Sequence, residues 1–308
     1  MLIRLGYVAI SRNLDLTTSS TYSYTNFSKD NNYEKLDRII KSNLSALKKV
    51  LLYNVKNSIH FYRMSSKLIP LVTHPKVNFN YTSNYKKHYK ELSKIIKDNN
   101  LRVDFHPDQF TILNSINDSV VSDSIDNLIY HYNLLDMMDI KRKVIILHVG
   151  SGALGKDESI KRFINNFNTL PLYLKESIVL ENDDKVFDAS DVISICKILH
   201  IPMVLDIHHD RCNPSNFSYE DIFNTWDITP KIHYSTPKSK LKNEFRSHNE
   251  YIDVDEFIEF INSIKHLNFD IDIMLEAKGK DDALFKLVSD LKLKTNYEFI
   301  DESSFRVE

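Results

Sequence analysis

Cysteine is almost absent from this chain of 308 residues, which contains only Cys196 and Cys212. The two do not form a CxxC pair, so the sequence offers neither a disulfide framework nor a thiolate metal site. Long apolar runs are also lacking, since no stretch approaches the roughly 18–20 residues needed to cross a bilayer. Residues 1–7 have no basic segment followed by a long apolar core, and they predict a strand rather than a signal peptide. We expect a cytoplasmic protein without a membrane partner.

Charge of one sign is lacking as well, because the formal net charge is only −2. This balance gives no global signature of nucleic-acid binding. If the partner is DNA, a local basic surface and bound metal ions must supply the attraction. Glycine is scarce: Gly6 lies inside the first predicted strand, and the other four glycines follow predicted strand ends. We expect these positions to need a positive φ or a close backbone approach.

Eight short, mostly apolar segments alternate with eight segments that repeat apolar residues at helical spacing. This alternation predicts parallel strands covered by helices, and eight units predict closure into a barrel. We predict the α/β class: a single (β/α)8 TIM barrel over residues 1–295, with the active site at the C-terminal ends of the strands. An acidic, polar and partly disordered tail is expected at 296–308. Strands are predicted at 2–8, 58–63, 101–105, 143–147, 177–180, directly after Pro202, directly after Pro230 and at 270–275. Helices are predicted at 36–55, 85–99, 122–138, 156–168, 189–199, 219–226, 254–264 and 281–291.

The most informative stretch is Met203 to Asp210, M-V-L-D-I-H-H-D, where an apolar run ends in a carboxylate and two imidazoles. Five other segments end in the same manner. The six terminal residues are His106, His148, Glu181, Asp206, His233 and Glu276. Because strand ends of a barrel face one mouth, we expect these side chains to converge. A single histidine of this kind is more often a hydrogen-bonded core residue, but that interpretation does not explain the repeated placement.

Imidazole and carboxylate ligands without thiolates suit Mn²⁺, Zn²⁺ or Fe²⁺. The candidates exceed the needs of one ion, and they include His248 and His74 in the loops after strands seven and two. Two or three ions sharing carboxylates are therefore expected. Such clusters stabilise both oxygens of a phosphoryl displacement. Because side chains alternate along a strand, Asp206 and His208 would lie on the same face. The residues alone therefore leave open whether His208 or His209 is the metal ligand.

Longer motifs around these residues resemble those of the ultraviolet-damage endonucleases. This family is a branch of the xylose-isomerase-like metal barrels that also includes abasic-site nucleases of the endonuclease IV type. The similar segments span residues 3–278 and include R-M-S-S at 63–66, F-H-P-D-Q-F at 105–110, L-H-V-G at 147–150, L-E-N-D at 180–183, L-D-I-H-H at 205–209, K-I-H-Y-S at 231–235 and L-E-A-K at 275–278. The resemblance implies metal ligands at His106, His148, Glu181, Asp206, His209, His233, His248 and Glu276. It implies catalytic roles for Glu181, Asp206, Glu276 and Lys231, the last matching a lysine that is modified or helps to hold the metals. Choosing His209 over His208 requires the chain to turn near Ile207.

The resemblance also implies contact with damaged double-stranded DNA. Gln109 and Phe110 match the pair that probes the duplex at the lesion, although the family often has Tyr at the position of Phe110 and usually Gly at that of Asp108. Independently of the resemblance, the loop at 238–246 carries four cations against one acid and suits phosphate contact. The alternative for this loop is a solvated charged surface. The residues expected to face DNA or the lesion are Gln109, Phe110, Tyr7, Asn13, His74, Arg63, Ser65, Lys238 and Arg246. For Tyr22, Tyr24 and Phe27 in the long first loop, packing onto the barrel is the better interpretation.

The resemblance implies a DNA repair endonuclease that acts as a monomer and uses two or three divalent ions, Mn²⁺ being expected and Zn²⁺ the alternative. It would nick duplex DNA 5′ to ultraviolet photoproducts and other lesions, leaving a 3′-hydroxyl and a 5′-phosphate. An abasic-site nuclease with the same metal core is the first alternative, and the Gln109–Phe110 pair counts against it. A sugar isomerase or epimerase should show fewer ligands and no basic loop. A DNA-binding barrel without activity should have lost part of its ligand set.

Overall fold

Apolar strands that are buried on both faces form the centre of the molecule, as expected for parallel strands covered by helices. The computed structural model describes all residues from 1 to 308. Eight strands close into a ring in the order β2-β3-β4-β5-β6-β7-β8-β1, with β1 pairing β2 in parallel. The strands are β1 Leu2–Val8, β2 Phe61–Met64, β3 Arg102–Phe105, β4 Ile145–His148, β5 Ile178–Glu181, β6 Met203–Asp206, β7 Lys231–Tyr234 and β8 Ile271–Leu275. The predicted (β/α)8 barrel is confirmed.

Helices surround the ring and bury their apolar faces against it. They are α1 Tyr24–Phe27, α2 Tyr33–Lys56, α3 Tyr81–Asn84, α4 Lys86–Asp98, α5 Asp118–Met137, α6 Lys156–Thr169, α7 Leu172–Lys175, α8 Ala189–Leu199, α9 Ile207–Cys212, α10 Tyr219–Phe223, α11 Val254–Ile264 and α12 Asp281–Lys294. The sequence did not predict α1, α3, α7 and α9, since four to six residues are too few to show a helical period. None of the helices combines the length and the apolar composition that crossing a bilayer requires.

Two glycines show why this residue is kept where the barrel and its mouth are tightest. A Cβ on Gly6 would lie 2.5 Å from the carbonyl oxygen of Phe61, so β1 and β2 can approach only without it. Gly150 follows β4 and has a φ of +114°, which side chains rarely tolerate. A Cβ there would also lie 2.5 Å from Oδ1 of Asn114. Both positions agree with the sequence-based expectation.

The C-terminal residues form a β-hairpin, and the expectation that 296–308 is partly disordered is wrong. Strands β9 Glu298–Phe299 and β10 Ser304–Arg306 pair with each other, and β10 pairs antiparallel with the first half of β1. Phe305 is fully buried and stacks on Tyr297 with 5.3 Å between ring centroids. The acidic composition hid this structure because only two or three alternating residues enter the core. The domain boundary at 295 stays a prediction.

Candidate metal centre

Six strand ends bring their polar residues to one rim of the barrel. His148, Glu181 and Asp206 are the last residues of their strands, and His106 and Glu276 directly follow β3 and β8. Parallel strands place all C-terminal ends at the same mouth. The ligand atoms fall into two groups whose members lie within 4.8 Å of one another, His106–His148–Glu181 and Glu181–Asp206–His233–Glu276. The strand-end residues of distant segments therefore converge.

Glu181 belongs to both groups and divides its two oxygens between them. Its Oε2 lies 2.8 Å from Nε2 of His106 and 3.9 Å from Nε2 of His148. Its Oε1 lies 2.9 Å from Nδ1 of His233. The side chain is buried at the centre of the mouth. A carboxylate in this position can bridge two cations, one in each group.

The second group surrounds His233 with carboxylates. Nδ1 of His233 lies 3.1 Å from Oε1 of Glu276 and 4.0 Å from Oδ2 of Asp206. Nη1 of Arg63 lies 2.6 Å from the same oxygen of Glu276. Arg63 is mostly buried in this ion pair, but it lines the same cavity as His106, His148 and Glu181. The phosphate contact expected of Arg63 therefore stays a prediction.

The neighbours of the buried carboxylates keep them ionised. Burial raises the pKa of Glu181, but attraction to His233, His148 and His106 outweighs it, and this pKa lies well below the usual range. Burial also raises the pKa of Glu276, and Arg63 and His233 reverse that effect to give a lowered pKa. Burial lowers the pKa of His148 and of His233, which favours the neutral imidazole that binds metals. Anionic oxygens and neutral imidazoles are the states that a cation requires.

The donor set fits divalent metal ions. Oδ2 of Asp206, which faces the second donor group, is buried and has no hydrogen-bond partner. Buried polar atoms without partners are costly unless a further group satisfies them. Imidazole and carboxylate donors without a thiolate suit Mn²⁺, Zn²⁺ or Fe²⁺. These residues can therefore hold divalent metal ions, while the number of ions and the identity of the metal stay predictions.

The M-V-L-D-I-H-H-D stretch turns at the point that the choice of His209 requires. Strand β6 ends at Asp206 and α9 begins at Ile207. Asp206 caps α9, because its Oδ1 accepts a hydrogen bond of 2.8 Å from the backbone N–H of His209. Residues i and i+3 then share a face, and Nδ1 of His209 lies 3.5 Å from Oε1 of Glu181. His209, and not His208, lies beside the two carboxylates.

His208 turns to the other side and meets His248. The two rings lie 5.3 Å apart between centroids. His208 is fully buried, and neither of its ring nitrogens has a hydrogen-bond partner. His248 closes the base of the loop after β7 by a bridge with Pro237, and its buried Nδ1 also lacks a partner. His248 lies outside both donor groups, so its role as a ligand stays a prediction.

Asn182 is a positioning residue that the sequence-based reasoning missed. Its Oδ1 accepts a hydrogen bond of 2.8 Å from the N–H of Asp206, and its Nδ2 donates to the Asp206 carbonyl at 3.0 Å. Its carbonyl lies 2.9 Å from Nδ1 of His209. If Nδ1 donates there, Nε2 of His209 is left free for a metal. The sequence feature that could have indicated this role is the position of Asn182 directly after Glu181.

Lys231 lies beneath this centre in a buried ion pair. Its Nζ lies 2.7 Å from Oδ2 of Asp104, and both side chains are fully buried. Burial lowers the pKa of Lys231 to about 8, although Asp104 raises it in part. Asp104 was also missed, and the signal was a carboxylate inside the apolar third strand. Lys231 therefore lies near the centre without contacting its carboxylate groups by a hydrogen bond.

The residues expected to face DNA separate into exposed and buried sets. Gln109 and Phe110 project from the loop after β3, and the Phe110 side chain is 73% exposed. Asn13 is exposed and donates to Asp282 at 2.7 Å, which fixes the first loop on α12. Lys238 pairs with Glu244, and Arg246 lies 3.6 Å from Asp184. His74 is half-buried and stacks on Tyr24 with centroids 3.9 Å apart, while Tyr22 and Phe27 are buried as expected.

Tyr7 and Ser65 are both buried, but only Ser65 adjoins the mouth. Tyr7 is fully buried, donates to Oδ1 of Asn54 at 2.8 Å and packs 5.2 Å from the ring of Tyr62. β1 therefore directs Tyr7 against α2. Oγ of Ser65 accepts from the N–H of Lys67, and the residue lines the cavity that also contains the donor groups. The DNA contacts expected of Tyr7 and Ser65 stay predictions.

Three kinds of comparison relate this chain to known proteins. A family model described as UV-endonuclease UvdE matches residues 3–305. A UV DNA damage endonuclease of Bacillus cereus strain B4264 is 39% identical over 303 residues, which cover 94% of this chain and 95% of that protein. The crystal structure of SacUVDE superposes with a TM-score of 0.86 at 35% identity, covering 95% of this chain and 99% of the other. Endonuclease IV from Thermus thermophilus has a TM-score of 0.54 at 10% identity, with coverage of 88% and 91%, and shares the fold alone.

Proposed function

We propose an activity for this chain, which belongs to the UV-endonuclease UvdE family. It nicks duplex DNA on the 5′ side of ultraviolet photoproducts, requires divalent metal ions, and leaves a 3′-hydroxyl and a 5′-phosphate. The observation that carries this proposal is the bridging position of Glu181, whose two oxygens face two separate donor groups. Mn²⁺ is the expected metal. The relatives' name, UV DNA damage endonuclease, supports the substrate.

The side chains at the mouth of the barrel supply the metal ligands in this proposal. When bound, divalent ions in such a cluster lower the pKa of coordinated water and neutralise charge on the phosphate. His106, His148 and Glu181 would hold one side of the cluster, and Asp206, His233 and Glu276 the other. His209 and His248 would complete the set, with the carbonyl of Asn182 orienting the ring of His209. No side-chain nucleophile is needed in this scheme.

Arg63 and Lys231 each pair with a carboxylate inside the barrel. Nη1 of Arg63 fixes the orientation of Glu276 by an ion pair of 2.6 Å. Lys231 compensates the charge of Asp104 below the cluster. Buried anions without such partners would protonate or repel one another. Arg63 therefore keeps Glu276 ionised and in place, and Lys231 does the same for Asp104.

The loop after β3 suits the inspection of the duplex. Phe110 is mostly exposed at the rim, where an apolar ring can enter an unstacked base step. Oδ1 of Asp108 accepts a hydrogen bond of 3.0 Å from the N–H of Phe110. The carboxylate that departs from the family's usual Gly is therefore engaged in shaping the loop.

A nicking assay tests this proposal. The protein is treated with EDTA, dialysed, and incubated with ultraviolet-irradiated, unirradiated and abasic-site supercoiled plasmids, with and without Mn²⁺. We expect nicking of the irradiated plasmid only when metal is present. Glu181→Gln should abolish it, whereas Glu176→Gln, an exposed glutamate at the opposite end of the barrel, should not. Cutting confined to abasic sites would favour the endonuclease IV type of activity, and no metal-dependent nicking at all would refute the proposal.

A further inference from the structure

We infer that Leu241, between Lys240 and Lys242, is a second duplex-inserting contact on the rim of the mouth opposite to Phe110. The partner is the duplex at a lesion, so the inference rests on the proposed function. Three features carry it: the exposure of an apolar side chain, the rigidity of the loop that presents it, and the unpaired cations beside it. The other DNA contacts expected on this side of the mouth, Lys238 and Arg246, lie on the same loop and form ion pairs.

Leu241 is an apolar residue held out in solvent. Its side chain is 63% exposed at the tip of the loop between β7 and α11. Single exposed apolar residues are common, so exposure alone would mean little. In this case, however, the residue belongs to a loop at the C-terminal rim, which is the rim that carries the donor cluster. Apolar side chains that enter between base pairs are a recurrent means of bending or unstacking DNA.

The loop is braced by its own hydrogen bonds. Its base is closed by the bridge between Pro237 and His248 and by a bond of 2.6 Å from Lys238 N–H to the Ser247 carbonyl. The Leu241 carbonyl accepts from the N–H groups of Glu244 and Phe245 at 2.9 and 2.8 Å. A tip fixed in this manner loses little conformational entropy when it binds, which favours insertion.

Two of the four cations on the loop form ion pairs, and the other two do not. Glu244 pairs with Lys238 and accepts a hydrogen bond of 2.8 Å from Oγ of Ser239, and Arg246 faces Asp184 on the loop after β5. Lys238 and Arg246, which the sequence predicts to contact DNA, therefore also brace the loop, and their DNA contact stays a prediction. Lys240 and Lys242 are exposed and form no salt bridge in the structure. The cations free to reach phosphates are therefore the two that flank Leu241.

The loop that carries Leu241 lies opposite the loop that carries Phe110. In the ring order, β7 lies four strands from β3 in either direction, so their loops stand on opposite sides of the mouth. Phe110 lies on one of these loops and Leu241 on the other, with the donor cluster between them. A duplex lying across the mouth would meet an apolar side chain on both sides of the scissile phosphate. Two apolar side chains that insert from opposite sides can hold an unstacked base step open more effectively than one.

The test uses the metal-loaded protein and a duplex of thirty base pairs that contains one thymine dimer, with 2-aminopurine in the undamaged strand opposite it. We expect wild-type protein to raise the 2-aminopurine fluorescence by unstacking the base. Leu241→Ala should reduce that rise by at least half and weaken binding about tenfold, the loss expected for an apolar contact of this size. Leu241→Met should restore both. Leu293→Ala, an 83% exposed leucine at the far end of α12, is the matched control and should change neither.

The salt dependence of DNA binding separates the contribution of Leu241 from that of Lys240 and Lys242. Lys240→Ala with Lys242→Ala should reduce the slope of log Kd against log salt by about 2, whereas Leu241→Ala should leave it unchanged. Wild-type fluorescence and affinity in Leu241→Ala, with the wild-type protein nicking normally, would overturn the inference and spare the proposed function. A wild-type protein that neither binds nor nicks the dimer duplex would overturn both.

Discussion

Nδ1 of His233 lies 2.9 Å from Oε1 of Glu181, although the two residues are 52 positions apart in the chain. Two different parallel strands, β5 and β7, carry them to the same level of the mouth. The other oxygen of Glu181 faces His106 and His148. One buried carboxylate therefore joins both donor groups.

Replacing Glu181 by Gln should remove metal from both groups. The amide keeps the volume but loses the charge and one acceptor, so metal content should fall to less than half and nicking by about a thousandfold or more. Metal analysis after gel filtration and nicking rates measure the two effects. The exposed Glu176→Gln variant is the control. A Glu181→Gln protein that keeps its full metal content would contradict the bridging role.

His209→Asn and His208→Asn should differ in metal affinity. Only His209 lies near Glu181 and Asp206, at 3.5 and 3.8 Å from their oxygens. We expect about a hundredfold weaker binding of one ion for His209→Asn and a change below about tenfold for His208→Asn. Competition with a fluorescent chelator gives both values. Equal losses, or a larger loss at His208, would show that the wrong histidine has been chosen.

Lys231→Met should destabilise the fold by about 3–5 kcal/mol, because it leaves Asp104 buried without a compensating charge. Adding Asp104→Asn should restore most of that loss, as urea unfolding would show. The double variant then separates structure from function. It should fold and nick at least about tenfold more slowly, because burial and the ammonium group of Lys231 together lower the pKa of His233 and so favour the metal-binding neutral imidazole, and that ammonium group is gone. Wild-type nicking by a stable double variant would reduce Lys231 to a purely structural residue.

His131 should make the protein less stable in mild acid. Burial lowers its pKa from 6.5 to about 4, so below pH 6.5 the unfolded chain takes up a proton that the folded protein refuses. The free energy of unfolding should therefore fall between pH 6.5 and 4 and be unaffected by this group above pH 6.5. His131→Phe should remove about 2 kcal/mol of the difference between about pH 7.5 and about pH 4.5 in urea unfolding. A variant with the wild-type pH dependence would show that His131 is protonated in the folded state.

The sequence predicted the strands and helices that are long enough to show a recognisable apolar period. Eight strand–helix units, and the polar residues at their ends, follow from apolar spacing and from the geometry of a parallel barrel. The short α9 was the exception that mattered, because six residues decide whether His208 or His209 faces Glu181. The motif resemblance, and not periodicity, gave the choice that agrees with this geometry.

Buried polar residues were the second source of error. Tyr7 and Arg63 are both predicted to face DNA, but only the structure shows that Tyr7 binds Asn54 on α2 and that Arg63 binds Glu276. Asp104 and Asn182 bind partners that are distant in sequence or lie in the backbone, so single-residue patterns cannot reveal them. The C-terminal hairpin was missed for a related reason, since few apolar residues besides Phe305 anchor it among acidic neighbours.

Product mapping on a single defined lesion tests the central claim most directly. A duplex with one thymine dimer, labelled at the 5′ end of the damaged strand, is incubated with metal-depleted protein before and after addition of Mn²⁺. We predict one cut immediately 5′ to the dimer that appears only with metal, with a 3′-hydroxyl that a DNA polymerase extends and a 5′-phosphate that a ligase accepts. Cutting in the presence of excess EDTA, cutting elsewhere, or a 3′-end that cannot be extended would contradict a multi-metal phosphodiesterase centre built around Glu181.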